Sequence, residues 1–217
     1  MRKTSTTPRI RSVSEEAASA AIEGSAAAAS VAGLADLVLR LSPRADVPRL
    51  AAVVVYGVSM IVAFLASALY HGTQHPGRKR FFREIDHCTI FIYIAGTYTA
   101  VTVLALSHHG GSYLLAAVWA LAIIGIALRL NNGAGFLRFA IPLYLAMGWL
   151  FLGWSETLYR AVGWTPMMLM LAGGVSYSGG LLFHRWDRLP YGNALWHVCV
   201  VAGSACFFCA ITLFPQL

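Results

Sequence analysis

Seven long apolar blocks, separated by short polar or basic stretches, make up almost all of this 217-residue chain. Most are close to the roughly 20 residues that an α-helix needs to cross the hydrocarbon core of a bilayer. Because lipid offers the backbone no hydrogen-bond partner, such blocks cross a membrane as helices. The sequence therefore predicts an all-α, polytopic membrane protein built as a seven-transmembrane helix bundle. The blocks cover residues 17–41, 49–70, 85–107, 112–130, 136–154, 166–183 and 192–214.

Composition agrees with a membrane protein and excludes a soluble domain. Charged residues are 12% and hydrophobic residues 58% of the chain, whereas a soluble domain is about 25% charged. The formal net charge of +7 does not indicate nucleic-acid binding, since the basic residues stand in short groups between the apolar blocks, as topology signals do. Residues 1–16 are polar and without apolar periodicity, so we predict a disordered cytoplasmic tail there and a membrane domain over residues 17–217.

The basic residues are distributed unequally over the two sides of the predicted bundle. The side that holds the N-terminus carries 12 of the 16 Lys and Arg residues, and the other side carries 4. Because cytoplasmic loops are enriched in Lys and Arg, we predict a cytoplasmic N-terminus and an external C-terminus. This orientation is opposite to that of G-protein-coupled receptors and excludes that class. Within the fifth block, Pro142 predicts a kink or local unwinding.

Four polar side chains stand at the ends of otherwise apolar helices. Ser67 and His71 close the second block, Asp86 opens the third, and His197 lies near the start of the last. In the predicted topology all four fall in the cytoplasmic half of the membrane, where ionisable groups indicate a functional site. Residues three, four and seven apart share a helix face. The helix faces that carry the polar groups are formed by three sets of residues. They are Met60, Phe64, Ser67 and His71; Asp86, Ile90, Tyr93 and Thr97; and Asn193, His197, Val200 and Ser204.

The chemistry of these side chains suits a metal ion. Two imidazoles, His71 and His197, and the carboxylate of Asp86 are donors that zinc accepts in four-coordinate sites. An open fourth position would hold a water that the metal makes nucleophilic. A purely structural interpretation stays open beside this one, with the histidines interfacial and Asp86 paired with Arg83.

Three stretches of sequence resemble a known family. They are similar to motifs of the hemolysin III family, the bacterial relatives of the progestin and adipoQ receptors. The stretches are Ser67-Ala-Leu-Tyr-His71 with the basic loop that follows it, Ile85 to Thr99, and Asn193 to Ser204. The resemblance extends over residues 17–217. It implies seven helices, a cytoplasmic N-terminus and a zinc site near the cytoplasmic face. Similarity to membrane-embedded ceramidases further suggests hydrolysis of a lipid amide.

The resemblance also assigns roles, with two departures. His71 and His197 would bind zinc, Asp86 would hold the water, and Ser67 would support the site. Asn193 stands where the family has the first histidine of its H-x-x-x-H motif, and Glu23 lies near where many members have another. We predict that Glu23 or Asp86 supplies the missing ligand. The alternative is a degenerate, metal-free site.

Two classes of function follow from these expectations. The first is a zinc-dependent hydrolase of an amide-bearing or acyl-bearing lipid in the bacterial plasma membrane, with membrane lipid as its partner and no indicated nucleic-acid or protein partner. The second is non-enzymatic: a cytolysin that permeabilises target membranes, or a sensor of membrane lipid state. A channel would need a polar stripe through the full bilayer, whereas the polar residues here concentrate at one end. A transporter would usually have paired broken helices, which the sequence does not indicate.

Overall fold

The computed structural model describes residues 11–41, 46–107, 109–132, 135, 137–186 and 188–215, and within these ranges it contains helices and no strand. A five-residue 3-10 helix, Leu150–Trp154, joins α5 to α6. The predicted all-α class is confirmed. The helices are α1 Val13–Leu41, α2 Val47–Gly72, α3 Pro76–Ala105, α4 Gly111–Asn132, α5 Leu137–Trp149, α6 Ser155–Val162, α7 Trp164–Arg185 and α8 Gly192–Thr212.

Six of these helices are long and apolar enough to cross a membrane: α1, α2, α3, α4, α7 and α8. Each coincides with one predicted apolar block. The expectation of a polytopic membrane protein is therefore confirmed at the level of six candidate spans. The seventh crossing and the orientation of the termini stay predictions.

The fifth apolar block is not one continuous helix. α5 runs through Pro142 for 13 residues and changes to the 3-10 helix only at Leu150. At that point the Tyr98 hydroxyl donates to the Met147 carbonyl at 2.8 Å and accepts from the Phe151 backbone N–H at 2.9 Å. The local unwinding predicted at Pro142 thus lies further along the chain, where a tyrosine from α3 satisfies backbone groups that the α-helix no longer pairs.

The first helix begins earlier than the sequence suggested. The Glu15 N–H donates to Ser12 Oγ at 3.2 Å, and the Ser12 N–H donates to Glu15 Oε2 at 2.8 Å. This reciprocal pair is a capping box, and it starts α1 at Val13. The structure therefore places residues 13–16 in a helix rather than in the predicted disordered tail, while residues 1–10 lie outside the described residues.

The third helix also begins before its predicted block. Pro76 occupies the first turn, where a missing N–H costs no helical hydrogen bond, and His75 precedes it as the capping residue. The basic residues that we assigned to a loop therefore lie on the first two turns of α3. As a result Lys79 Nζ reaches Glu16 Oε2 on α1 at 2.6 Å. We call this end of the bundle, marked by Arg11, Lys79 and Arg83, the basic end.

Helices α2 and α3 approach each other closely at Gly96. A Cβ atom at this position would lie 2.8 Å from Ser59 Cβ and 3.3 Å from the Val55 carbonyl oxygen, so glycine is needed for this contact. α1 lies against both α2 and α8, and α7 packs along α8. As a result, one end of each of α1, α2, α3 and α8 lies at the basic end of the bundle.

A buried arginine connects α4 to α3. The Arg129 side chain is 0% exposed, and its Nη2 lies 2.7 Å from Glu84 Oε2 and 3.1 Å from His87 Nδ1. The Tyr144 hydroxyl on α5 donates to the His87 carbonyl at 2.7 Å. These contacts tie α3, α4 and α5 together near the basic end.

Replacing Arg129 with Met should destabilise the protein by about 2 kcal/mol, below the 3–5 kcal/mol typical of fully buried pairs because Glu84 is half-exposed. The measurement is the midpoint of thermal unfolding in detergent. The matched control is Arg160→Met, since Arg160 also lies 2.7 Å from a glutamate, Glu156, but both side chains are exposed. Exposed pairs contribute little, so the control midpoint should stay close to wild type. Equal shifts in the two variants would contradict a structural role for the buried pair.

Candidate functional site

Two histidines from different helices meet at the basic end. His71 lies in the last turn of α2 and His197 in the second turn of α8, and both are buried. Their Nε2 atoms are 3.1 Å apart, and their rings make an edge contact with centroids 4.7 Å apart. The structure thus brings together the two histidines that the helix faces singled out, although 126 residues separate them in sequence.

Two carboxylates from α1 hold the outer nitrogens of this pair. Glu23 Oε1 lies 2.6 Å from His197 Nδ1, and Glu16 Oε2 lies 3.1 Å from His71 Nδ1. Because Glu16 and Glu23 are seven residues apart, they lie two turns apart on one face of α1, and both are buried. We call Glu16, His71, His197 and Glu23 the histidine–carboxylate chain.

The hydrogen bonds of the histidine–carboxylate chain favour a proton or a metal ion between the two Nε2 atoms. An ionised carboxylate only accepts hydrogen bonds, so with Glu16 and Glu23 ionised each neutral imidazole would carry its single proton on Nδ1. Both Nε2 atoms then present lone pairs to each other across 3.1 Å. Facing lone pairs repel unless a shared proton or a metal ion lies on them, and a carboxylate on the outer nitrogen is the usual support of a metal-binding histidine.

The other predicted site residues lie around the same cavity. Asp86 lines it and interacts electrostatically with His197 and Glu23. The Ser67 hydroxyl is buried near Asp86 but makes no hydrogen bond of standard geometry to any residue that the structure describes. The Asn193 amide nitrogen donates to Ser19 Oγ on α1 at 3.1 Å, so it is engaged by α1.

The structure places Glu23 and one further carboxylate beside the histidines. Glu23 contacts the outer nitrogen of His197, where a carboxylate supports a metal-binding histidine, and the ligand role for Glu23 or Asp86 stays a prediction. Glu16 performs the same role for His71 and was missed, because the residue was assigned to the tail. Its spacing of seven from Glu23 is the sequence signal that could have indicated it.

A cavity of about 460 Å³ connects the site to the apolar interior. Its polar end includes Ser67, His71, Asp86 and His197, and its lining continues along α3 as far as Val101. Val101 follows Asp86 by fifteen residues on α3, which corresponds to about 22 Å of helix. The cavity therefore offers a polar end and a long apolar interior, which suits an amphiphile with one extended chain.

The histidine pair fits one half of a zinc site. Two zinc–nitrogen bonds of about 2.0–2.1 Å at the tetrahedral angle separate the nitrogens by about 3.3 Å, close to the observed 3.1 Å. Among the described residues, no three His, Cys, Asp or Glu side chains are already gathered around one point. To become a third protein ligand, a neighbouring side chain would have to move a short distance toward the histidine pair. Asp86 lines the same cavity and has a carboxylate, which zinc accepts as a ligand.

Comparison with known proteins gives one consistent result. A family model described as "Haemolysin-III related" matches residues 12–208. "Hemolysin-3" of Bacillus cereus is 38% identical over 200 residues, which cover 92% of this chain and 91% of that protein. "Hemolysin-3 homolog" of Bacillus subtilis (strain 168) is 33% identical over 200 residues, which cover 92% of this chain and 94% of that protein.

Proposed function

The chain belongs to the haemolysin-III related family, and from this premise we propose that it is a metal-dependent hydrolase of membrane lipids, acting at the basic end of the bundle. The observation that carries the proposal is the histidine–carboxylate chain. Two inward-facing Nε2 atoms, each supported by a carboxylate on Nδ1, stand at the polar end of a long apolar cavity. A buried arrangement of this kind is costly in a membrane protein and indicates function.

His71 and His197 would hold a zinc ion through their Nε2 atoms, and Asp86 would complete the protein ligands or hold the reacting water. When bound, zinc supplies Lewis-acid activation of that water and of the lipid carbonyl. Glu16 and Glu23 keep the proton of each histidine on Nδ1, so that Nε2 stays available. The chain's own residues thus prepare the donor set before any metal arrives.

The remaining side chains of the site manage the proton and the substrate. Asp86 accepts the proton of the attacking water as general base and returns it to the leaving amine when the amide C–N bond breaks. The buried Ser67 hydroxyl is available to donate a hydrogen bond to the water or the carbonyl oxygen. The apolar cavity binds the acyl chain and excludes bulk water, which strengthens the electrostatic interactions in the site.

We further infer that the fifth apolar block completes a seventh crossing. The 13 residues of α5 and the five of the 3-10 helix together span about 30 Å, the thickness of the hydrocarbon core. With seven crossings, the excess of basic residues places the site in the cytoplasmic half of the bacterial inner membrane.

The proposal is tested with purified protein in lipid nanodiscs. An N-acyl amide lipid and its O-acyl ester counterpart, each with a fluorescent acyl chain, are offered as substrates, and released fatty acid is measured. We expect release that stops on chelation and returns with zinc, and that falls about 10²–10⁴-fold in Asp86→Asn. Protein that holds zinc and releases fatty acid from neither lipid would contradict the hydrolase proposal.

Replacing Glu16 or Glu23 with Gln should weaken zinc binding by about 10–100-fold, because a neutral amide no longer fixes the proton on the histidine Nδ1. The measurement is a competition titration against a fluorescent zinc chelator. Glu156→Gln is the control, since Glu156 is exposed and pairs only with Arg160 among the contacts that the structure describes. Unchanged affinity in both site variants would mean that the carboxylates are not supporting metal ligands.

A second candidate is a non-enzymatic role, as a cytolysin or a sensor of membrane lipid state. Two observations favour it. The described residues contain no group of three His, Cys, Asp or Glu side chains that could hold one metal ion, and the Bacillus cereus relative is named "Hemolysin-3". The test is lysis of red cells by purified protein, with His71→Ala beside wild type. Lysis that is independent of His71, without lipid hydrolysis, would favour this candidate.

A further inference from the structure

Three tyrosine hydroxyls and one serine meet deep inside the bundle. The Tyr177 hydroxyl lies 2.8 Å from Ser204 Oγ and 3.5 Å from the Tyr93 hydroxyl. The Tyr56 ring stacks on the Tyr93 ring with centroids 6.3 Å apart. We call Tyr56, Tyr93, Tyr177 and Ser204 the tyrosine cluster; its members come from α2, α3, α7 and α8.

The cluster belongs to the wall of the cavity. Tyr93 and Tyr177 line it, together with Thr97 one turn beyond Tyr93. The Tyr56 side chain lies behind Tyr93 and is 0% exposed. The neighbouring lining residues are mostly apolar, among them Phe64, Ile90, Val200 and Phe207. Polar hydroxyls in such surroundings are unfavourable unless they are hydrogen-bonded.

The hydrogen bonds within the cluster leave hydroxyl groups poorly satisfied. Ser204 Oγ donates to the Val200 carbonyl at 2.9 Å, so it accepts from Tyr177. The Tyr93 hydroxyl lies 3.5 Å from the Tyr177 hydroxyl, the outer limit of a hydrogen bond, and the Ser204, Tyr56 and Thr97 side chains also approach it. The Tyr56 hydroxyl is buried and makes no hydrogen bond of standard geometry to any described residue. The wall of the cavity therefore offers hydrogen-bonding capacity that the described side chains do not use.

The position of the cluster relative to the histidines is set by helix geometry. Tyr93 follows Asp86 by seven residues on α3, and Ser204 follows His197 by seven residues on α8. Seven residues correspond to about 10 Å along a helix. On both helices the cluster thus lies about two turns deeper than the candidate metal site, within reach of the middle of an extended acyl chain rather than of its head group.

We propose that the tyrosine cluster binds an oxygen atom within the chain of the lipid, such as a mid-chain hydroxyl or keto group. The proposal rests on the proposed function in taking a lipid chain as the ligand of the cavity. A plain hydrocarbon chain would cover the Tyr93 hydroxyl with methylene groups and add no hydrogen bond, whereas an in-chain oxygen accepts from Tyr93, and an in-chain hydroxyl also donates to the Tyr177 oxygen. Lipids with an oxygenated chain are therefore preferred over their unsubstituted counterparts.

The test compares the binding of three fatty acids to detergent-purified protein kept metal-free with a chelator. The probes are stearic acid, 10-hydroxystearic acid and 2-hydroxystearic acid, each competing against a fluorescent fatty acid. We expect wild type to bind 10-hydroxystearic acid about tenfold or more tighter than stearic acid, as one well-placed hydrogen bond allows. The hydroxyl of 2-hydroxystearic acid stands next to the head group and should confer no such preference.

Two variants assign the preference to the cluster. Tyr93→Phe and Tyr177→Phe should each reduce the preference for 10-hydroxystearic acid to roughly twofold or less, while binding of stearic acid shows that the cavity is intact. Tyr144→Phe is the control, because Tyr144 also lines the cavity but its hydroxyl is bonded to the His87 carbonyl. Its preference should equal that of wild type.

The proposal is overturned by any of three results: no preference in wild type, an equal preference for 2-hydroxystearic acid, or a preference that both phenylalanine variants retain. Failure to bind any fatty acid also overturns it. Since the binding assay needs neither metal nor turnover, the outcome is separate from that of the proposed hydrolase. Chain preference without hydrolysis would refute only the hydrolase, and hydrolysis without chain preference would refute only the role of the cluster.

Discussion

Replacing His197 with alanine is expected to reduce bound zinc from about one ion per chain to nearly none, since a tetrahedral catalytic site has about three protein ligands and the paired Nε2 atoms of His71 and His197 would supply two of them. The reason is geometric. His197 Nε2 faces His71 Nε2 at 3.1 Å, and Glu23 holds its other nitrogen, so removing this ring also leaves Glu23 without its partner. The measurement is elemental mass spectrometry of detergent-purified protein after exposure to zinc.

The comparison with His71→Ala and a control makes this result interpretable. His71→Ala should lose zinc to the same extent, because the two rings act as a pair. His109→Ala should retain it, since His109 lies in the exposed connection before α4. Unchanged zinc in both site variants would eliminate the proposed ligands. Absence of zinc from wild type, even when it is supplied, would mean that Asn193 has disabled the site and would favour the non-enzymatic role.

Replacing Asn193 with histidine is expected to raise zinc affinity by roughly tenfold or more, the effect of about 1.4 kcal/mol of added binding energy. Asn193 stands one turn before His197 on the same face of α8, and it is 9% exposed beside Ser19. An imidazole at this position would provide a third protein ligand beside His71 and His197. It would also restore the H-x-x-x-H pattern that the family resemblance implies.

A control variant shows whether this gain in zinc affinity comes from the added ligand. Asn193→Ala removes the amide without adding a donor, so its zinc affinity should remain close to that of wild type. Competition against a zinc chelator gives the affinities of all three proteins. Equal affinity of Asn193→His and wild type would place residue 193 outside the metal site, and higher affinity of Asn193→Ala would show that the Ser19 contact opposes metal binding.

Much of the candidate site could be predicted from helix periodicity. The stripes on α3 and α8 correctly placed Asp86, His197, Tyr93 and Ser204 toward a common interior, because residues three, four and seven apart share a face. The family resemblance is likewise confirmed, with the family model matching residues 12–208. These features could be predicted because they depend only on spacing within one helix.

Glu16 and Arg129 show where such reasoning stops. Glu16 was placed in a tail because its neighbours are polar, although Ser12 and Glu15 already contained the signature of a capping box. Its contact with His71 depends on where α1 lies between α2 and α8. The burial of Arg129 depends in the same way on the depth at which α4 meets Glu84 and His87 of α3.

The sequence by itself determined the helical class, six candidate membrane spans and the faces that carry polar groups. It could do so because a chain in lipid must satisfy its backbone within each helix. Only the tertiary structure decided that Glu16 and Glu23 contact the two histidines, that Tyr98 bonds the backbone at the break after α5, and that Tyr93 and Tyr177 line the cavity. The physical reason is that contacts between helices depend on their relative rotation and depth. Because lipid tails are as apolar as the side chains that pack between membrane helices, the hydrophobic pattern does not specify either quantity.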